Sequence, residues 1–211
     1  VDWGVESYAT VARSPDDVET VENDRFWDAE ADALKAKQRD LSKALRGKRS
    51  NRAAKRRAAL AKSHRALANR RKNRAHQESA RLVRRHRAIA TEKLTAKNMT
   101  RSARGTAKEP GTNVKRKAGL NRSILDTAPG SFLKTLQYKA EEAGTELKML
   151  PTKQFKPSQR CPISWRVRKK GLDQRSHALP DGRTIGRDHA AALVMLRAAM
   201  KREGREPAWV V

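Results

Sequence analysis

Residues 1–21, VDWGVESYATVARSPDDVETV, decide the fold that this sequence predicts. β-Branched and aromatic residues fill three short runs, at 1–5, 7–12 and 17–21. Gly4 and the RSPDD segment supply turn residues between the runs. The pattern predicts three consecutive strands, and a meander that opens the domain is their simplest arrangement.

The segment after these strands has the periodicity of helices. Trp27, Leu34 and Leu41 recur every seven residues and so share one helical face, before Gly47 in RGKRSN interrupts the pattern. A second helix, about 50 Å long, is predicted over roughly 50–85. Its apolar residues fall on a comparable stripe: Ala53, Leu60, Leu67, Ala75 and Leu82. The sequence therefore predicts two helices directly after the meander.

A buried strand and a long loop are predicted next. The short apolar run in RAIATEKL, residues 87–94, predicts a strand that carries Glu92 at its C-terminal end. Residues 97–121 are polar and rich in Gly, Thr and Lys, a composition typical of a mobile loop.

The last part of the chain predicts helix, strand and helix. The first helix has Ser123 as a candidate cap, a break or turn at Pro129 and Gly130, and Gly144 as its end. A strand ELKML, a polar insert at 152–183 and a final helix over about 188–203 follow. This order suits a mixed α/β sheet of the ribonuclease H kind, with a basic helical hairpin inserted after the third strand.

Charge indicates the class of partner. The 211 residues carry a formal net charge of +26, with a pI near 11.1, so a polyanion such as nucleic acid is expected. Residues 1–34 hold ten acids and two basic residues, whereas residues 35–87 hold 21 Lys or Arg and two acids. This block asymmetry predicts separate roles for the two segments.

Other classes of protein are disfavoured. The sequence has neither a long apolar run nor a secretory leader, so a cytoplasmic, nucleoid-associated protein is expected. A single cysteine, Cys161, excludes an internal disulfide framework. Because the chain starts with Val1 and enters a strand at once, we expect further domains of the same polypeptide upstream.

Three acids in separate segments are candidates for catalysis. Asp2 lies on the first predicted strand, Glu92 ends the fourth, and Asp188 begins the final helix. In a ribonuclease H-like sheet these positions are neighbours, and converging carboxylates are what two-metal phosphodiester hydrolysis requires. Each acid also has an ordinary structural interpretation. Asp2 would be a polar residue near the terminus and Glu92 a surface acid at the end of a strand. Asp188 would be an acid at a helix start, where the helix dipole favours it.

Five ordered blocks carry a family resemblance. They are VDWGVESYAT (1–10), HRAIATEKLTAKNM (86–99), AGLNRSILDTAPGSFLKTLQYKAEEAG (118–144), KPSQRCP (156–162) and GRDHAAALVML (186–196). In order and spacing they resemble the RuvC-like nuclease region of TnpB, the transposon-associated RNA-guided DNA endonuclease, and of small type V CRISPR effectors.

The resemblance implies a site, a cofactor and partners. Asp2, Glu92 and Asp188 correspond to the family's three metal-binding catalytic acids, which implies two Mg²⁺ ions, a guide RNA and a target DNA. It divides the chain into a nuclease core, an inserted basic helical hairpin and a degenerate zinc-ribbon insert. The core covers 1–22 and 86–211, the hairpin 23–85 and the insert 152–183.

The insert departs from the family pattern. The zinc ribbon of the family has two pairs of cysteines, but only Cys161 remains here, with Ser164 at its partner position and Ala178, Leu179 and Asp181 around the second pair. Zinc is therefore not expected, since Cys161, His177 and Asp181 make a poor tetrahedral set. Packing around Trp165 is the expected substitute.

The basic helices are the predicted nucleic-acid surface. A solvated helix would mix Lys with Glu, but this run is almost wholly cationic, which favours phosphate contacts. The candidate binding residues are Lys48, Arg49, Arg52, Arg56, Arg70, Arg71, Arg74 and, beside the third acid, Arg187.

Three hypotheses follow from the sequence. The first is a Mg²⁺-dependent DNA endonuclease guided by RNA. The second is an RNA-guided DNA-binding protein that does not cut, and the third is a basic scaffold protein. Retention of all three acids favours the first.

Overall fold

A computed structural model describes residues 1–46, 51–171 and 173–210. The strands are β1 Asp2–Trp3, β2 Ser7–Ser14, β3 Asp17–Glu22, β4 Ala88–Glu92, β5 Glu146–Leu150, β6 Ser176–Ala178 and β7 Thr184–Gly186. The helices are α1 Phe26–Ala44, α2 Asn51–Arg85, α3 Ala96–Met99, α4 Val114–Thr127, α5 Pro129–Ala143, α6 Thr152–Phe155 and α7 Arg187–Lys201. The chain is thus a mixed α/β protein, as its sequence predicts.

The predicted meander is confirmed. Strands β1, β2 and β3 pair antiparallel in that order, with Asp2 opposite Thr10. Strands β4 and β5 form a separate parallel ladder in which Glu92 lies opposite Leu150. The Val1 nitrogen donates a hydrogen bond to the Ala90 carbonyl oxygen over 2.6 Å. This bond brings β1 of the first sheet beside β4 of the second.

Helices cover both faces of these strands. Ile89 of β4 packs in the same core cluster as Leu82 of α2 and Phe132 of α5. Its neighbour Ala90 packs instead with Met195 of α7. Because successive residues of a strand point to opposite faces, α2 and α5 lie on one face and α7 on the other.

The predicted pair of helices is confirmed. Leu34 on α1 and Leu67 on α2 are buried, as the apolar stripe requires, and α1 packs against α2. The expected break at Gly47 lies outside the described residues. The strand that ends at Glu92, the strand at 146–150 and the helix that ends at Gly144 are also observed.

The loop prediction for 97–121 is wrong at both ends. A short helix, α3, covers Ala96–Met99, and α4 begins at Val114 and contains Ser123, whose hydroxyl donates to the Gly119 carbonyl instead of capping a helix. The Asn121 amide donates to the Thr100 carbonyl (2.8 Å), which ties α4 to the end of α3. The first turns of α4, VKRKAGLN, are mostly polar, so composition predicted a loop there, although Ile124 further along the helix packs in the core.

The break between α4 and α5 is confirmed. Ala128 between them adopts a left-handed conformation with φ of 47°, and Pro129 begins α5. The final helix begins at Arg187, one residue before the predicted start. The short β6–β7 hairpin, which precedes this helix directly, was not predicted.

Candidate active site

The backbone brings Asp2 beside Glu92. Asp2 is in β1, and the bond from Val1 to Ala90 holds β1 against β4 two residues before Glu92. Glu92 ends β4 and is buried, with 9% of its surface exposed. The Asp2 and Glu92 carboxyl groups lie close enough for each to affect the pKa of the other. Two of the three predicted acids therefore meet.

Asp188 reaches the same region from α7. The buried side of α7 is rich in alanine, including Ala191 and Ala192, so the helix packs closely against the strands. His189 donates its ring N–H to the Ser14 carbonyl (3.3 Å), which anchors the first turn of α7 to β2. Asp188 is close enough for its charge to act on the Asp2 carboxyl.

Burial and mutual repulsion shape the ionisation of these acids. Burial raises the pKa of Asp2 well above its usual range, and the charges of Glu92 and Asp188 raise it further. Burial also raises the pKa of Glu92, while the hydrogen bond from Thr152 and the charge of the Val1 nitrogen act in the opposite direction. Burial and the neighbouring acids therefore favour the protonated form of Asp2, although the charges of the Val1 nitrogen and Arg187 act in the opposite direction.

The donor chemistry fits a hard divalent cation. Carboxylate oxygens are the ligands that Mg²⁺ prefers, and buried acids that repel each other gain stability from a bound cation. The geometry of a three-ligand metal site is not complete, because the described residues contain no group of three or more His, Cys, Asp or Glu side chains gathered closely enough to hold a metal. Asp2 and Glu92 fit as a pair, and Asp188 stands outside that contact.

Solvent reaches Asp188 from two cavities. One has a volume of about 440 Å³ and the other of about 400 Å³, and Asp188 lines both. The first is bordered by Arg25, Trp27 and Arg175, and the second by Arg187. A phosphate group can therefore approach Asp188 alongside positive side chains.

The predicted nucleic-acid-binding residues fall into two groups. Arg71 pairs with the buried Asp126 (2.7 Å), and Arg74 pairs with Asp24 (3.1 Å) and lies over the Tyr8 ring. These two arginines hold α2 against the rest of the protein. Arg52, Arg56 and Arg70 are exposed, and the last two pair with surface acids. Arg187 donates a hydrogen bond to the Gly171 carbonyl. Lys48 and Arg49 lie outside the described residues.

Two residues of this region were missed by sequence reasoning. Asp126 accepts hydrogen bonds from the Trp27 backbone and the Arg71 side chain, so it joins α1, α2 and α4. The Thr152 hydroxyl donates to a carboxylate oxygen of Glu92. An acid in the otherwise apolar SILDT segment was a signal for Asp126, whereas Thr152 gave none.

The insert does not fit zinc. The Cys161 sulfur accepts a hydrogen bond from the Ser164 backbone (3.4 Å), and the Lys170 ammonium contacts Nδ1 of His177. Burial, and then the Lys170 charge, lowers the pKa of His177 to about 4. Since Lys170 already occupies a ring nitrogen and carries positive charge, a zinc ion is disfavoured there.

A clamp around Trp165 fastens the insert to α7 instead. The Arg197 guanidinium lies 4.9 Å from the Trp165 ring centre, donates to the Pro162 carbonyl over 2.8 Å and pairs with Glu206 over 2.7 Å. Arg160 also lies 4.9 Å from the Trp165 ring centre. Hydrogen bonds and cation–π contacts therefore hold a segment that four metal ligands hold in the family pattern.

This clamp predicts metal-independent stability. Arg197→Met should lower the melting temperature by roughly 6–12 °C, the effect of about 3 kcal/mol in a domain of this size, because it leaves the Pro162 and Ile163 carbonyl groups without this donor and Glu206 with Lys201 alone. The control Arg202→Met removes an exposed arginine over the Phe155 ring and should have little effect. The zinc chelator 1,10-phenanthroline should leave the melting curve unchanged, and a lower melting temperature in its presence would contradict the prediction.

Two comparisons with known proteins are consistent with a nuclease related to transposons. A family model described as "Probable transposase" (OrfB_IS605) matches residues 1–103, just under half of the chain. The chain is 43% identical over 70 residues to "Putative RNA-guided DNA endonuclease InsQ" from Escherichia coli (strain K12). That match spans 33% of this chain and 17% of the relative.

The two matches show similarity to transposon-associated proteins. They support the resemblance to TnpB, and the family model covers the first two of the five sequence blocks, at 1–10 and 86–99. Among the described helices, none combines the length and apolar character needed to cross a membrane.

Proposed function

We propose that this chain is the RuvC-like nuclease portion of an RNA-guided DNA endonuclease and hydrolyses DNA with Mg²⁺. The observation that carries the proposal is the contact between Asp2 and Glu92, 90 residues apart in sequence, with Asp188 close enough to act on Asp2. Buried like charges destabilise a fold unless a ligand offsets them. A cation site explains why these acids lie together.

The strand order supports a ribonuclease H-like core. Strands β1 to β3 form an antiparallel meander, β4 and β5 are parallel, and β1 lies next to β4. The connection from β4 to β5 runs through α4 and α5, as a parallel pair requires. We propose the same division as the sequence predicts: a core of 1–22 and 86–211, a basic hairpin at 23–85 and an insert at 152–183.

The acids and their neighbours have distinct roles in this proposal. Asp2, Glu92 and Asp188 would hold Mg²⁺ through their carboxylate oxygens, and the metal would supply Lewis-acid activation of a water molecule and stabilisation of the leaving oxygen. The products are a 5′-phosphate and a 3′-hydroxyl. Arg187 places a positive charge beside the acids, where a substrate phosphate would enter.

Nucleic-acid binding is assigned to the outer face of α2. Several exposed cations on this helix form no ion pair within the part of the chain that the structure describes: Arg52, Lys55, Arg57, Lys62, Arg65, Lys72 and Arg84. Such a face attracts phosphates without reading bases, so guide RNA or target DNA is its expected partner. Arg71 and Arg74 are left out of this surface because they form internal ion pairs.

One observation favours an alternative, an RNA-guided DNA-binding protein that does not cut. The three acids do not form a closed metal-ligating group within the described ranges. The two functions differ in what a divalent metal does: a nuclease needs Mg²⁺ for product, whereas a binding protein forms the same complex with Ca²⁺ or Mg²⁺.

The test compares metals on one complex. Protein purified with its co-purifying RNA is mixed with end-labelled single-stranded DNA in Mg²⁺, Mn²⁺, Ca²⁺ or EDTA. We expect products with 5′-phosphate ends in Mg²⁺ and Mn²⁺ alone, since Ca²⁺ supports binding but is a poor catalyst of this chemistry. A DNA complex that stays intact in all four conditions would support the alternative.

A further inference from the structure

A hydroxyl group contacts one of the candidate metal-binding acids. Thr152 is the first residue of α6, and its Oγ1 donates a hydrogen bond to Oε2 of Glu92 over 3.0 Å. Glu92 is buried, so few partners can reach its carboxylate. The two residues are 60 positions apart, and their contact depends on the tertiary fold.

Parallel pairing brings Thr152 to Glu92. Glu92 lies opposite Leu150 in the β4–β5 ladder, and the Lys93 N–H extends that ladder by donating to the Leu150 carbonyl over 2.8 Å. Pro151 follows and has no N–H for a further strand bond, so the chain turns into α6. Thr152 therefore stands directly beyond the end of both strands, on the same edge as Glu92.

The surrounding backbone holds Thr152 in place. The Lys156 N–H donates to the Thr152 carbonyl (2.8 Å), which closes the single turn of α6. Phe155 on that turn packs against the cluster of Ala90, Leu150 and Met195. The Thr152 hydroxyl is thus fixed by packing and backbone hydrogen bonds and is not free to follow Glu92.

We propose that Thr152 is a positioning residue of the metal site, whose hydroxyl engages one carboxylate oxygen of Glu92 and leaves the other for a divalent cation. The proposal rests on the function proposed above. Outer partners of this kind orient ligands, and their loss costs metal affinity roughly 10–100-fold. Thr152 has no net charge, so it orients Glu92 without competing with the cation for the acids.

A structural role for the same hydroxyl makes a different prediction. If Thr152 only stabilised the turn into α6, its loss would lower the melting temperature and leave metal affinity unchanged. In α6, however, the residue before Thr152 is Pro151, and the helix has no side-chain hydrogen bond at its N-cap. The Thr152 hydroxyl donates its hydrogen bond to Glu92.

Metal binding measured without DNA separates these possibilities. Mn²⁺ is titrated into the purified protein, and free Mn²⁺ is followed by electron paramagnetic resonance. Thr152→Val keeps the shape and removes the donor, so we expect Mn²⁺ affinity to fall about tenfold. Thr152→Ser restores the donor and should bind within about twofold of the unchanged protein, an outcome that a purely structural role would not require.

Two further variants make the result decisive. Thr100→Val is the matched control, because its hydroxyl donates within its own segment to the Ala96 carbonyl (2.9 Å), and it should leave Mn²⁺ binding unchanged. Glu92→Gln is the reference for a lost ligand. If Glu92→Gln weakens binding but Thr152→Val does not, the positioning role is overturned alone. If Glu92→Gln binds Mn²⁺ as well as the unchanged protein, the metal site itself is overturned.

Discussion

Asp188→Ala is expected to lower the rate of Mg²⁺-dependent DNA cleavage by about 10³-fold or more, since a lost charge-stabilising group at a reacting centre costs that much. Of the three acids, Asp188 is the one that lines these two cavities, so solvent and substrate can reach it from either cavity. Removing it takes away one ligand and leaves the contact between Asp2 and Glu92 intact. Cleavage of end-labelled DNA by the RNA-loaded protein measures the loss.

The ordinary interpretation of Asp188 predicts a much smaller effect. An acid in the first turn of a helix stabilises it by about 0.3–1 kcal/mol through the helix dipole, without any role in chemistry. On that interpretation Asp188→Ala would lower the melting temperature slightly and cut DNA at the normal rate. Normal cleavage by Asp188→Ala would therefore remove Asp188 from the catalytic site.

The control for this experiment removes the same charge elsewhere. Asp32 lies on α1 with 97% of its side chain exposed and pairs only at the surface with Lys35. Asp32→Ala should change neither the cleavage rate nor the melting temperature measurably, because exposed ion pairs contribute little. DNA affinity measured in Ca²⁺ should stay the same for both variants, which separates lost chemistry from lost binding.

The strands and long helices were predictable because their signals are local. The three runs at 1–22 alternate with turn residues, and the apolar stripe on α2 repeats over its whole length, so short windows of sequence determine them. The segments that carry the three acids were predictable for the same reason. Their approach to one another followed only from an assumed sheet, and the structure brings Asp2 and Glu92 into contact while it leaves Asp188 outside that contact.

Features that depend on tertiary contacts were not predictable. Helix α4 is held through Asn121 and the Thr100 carbonyl, and Thr152 meets Glu92 only because β4 and β5 pair in one register. The roles of the cations on α2 also depended on tertiary contacts. Arg71 and Arg74 have the same sequence context as the exposed cations of α2, yet Asp126 and Asp24 pair with them inside the fold.

Asp2→Asn is expected to abolish cleavage and at the same time stabilise the metal-free protein. Burial raises the pKa of Asp2, with further increases from Glu92 and Asp188, so the native state binds the Asp2 proton more tightly than the unfolded state does. As the pH rises from about 4, the unfolded chain loses this proton first, and native stability falls until the pH passes the raised pKa. An asparagine at position 2 has no proton to lose in this range, so it does not reduce native stability as the pH rises.

The gain from Asp2→Asn should therefore depend on pH. Thermal melts in EDTA should show little difference between the two proteins near pH 4 and an advantage of roughly 3–6 °C for Asp2→Asn at pH 8, equal to about 1–2 kcal/mol. Asp17→Asn is the control of opposite sign. A hydrogen bond from Arg13 lowers the pKa of Asp17, and the stability contributed by this carboxylate is lost only as the pH falls below the usual pKa of aspartate, so Asp17→Asn should be slightly less stable than the unchanged protein by a nearly constant amount from about pH 5 to pH 8.

Magnesium should reverse the order of stability. A cation that binds the native acids stabilises the unchanged protein by mass action, and Asp2→Asn lacks one of the ligands for that binding. We expect Mg²⁺ to raise the melting temperature of the unchanged protein at pH 8 and to leave that of Asp2→Asn nearly constant. If Asp2→Asn is the less stable protein in EDTA at pH 8, and Mg²⁺ moves neither melting curve, the acids are ordinary surface charges. The protein would then have no site for DNA hydrolysis, and the proposed binding of polyanions to the exposed face of α2 would be its remaining function.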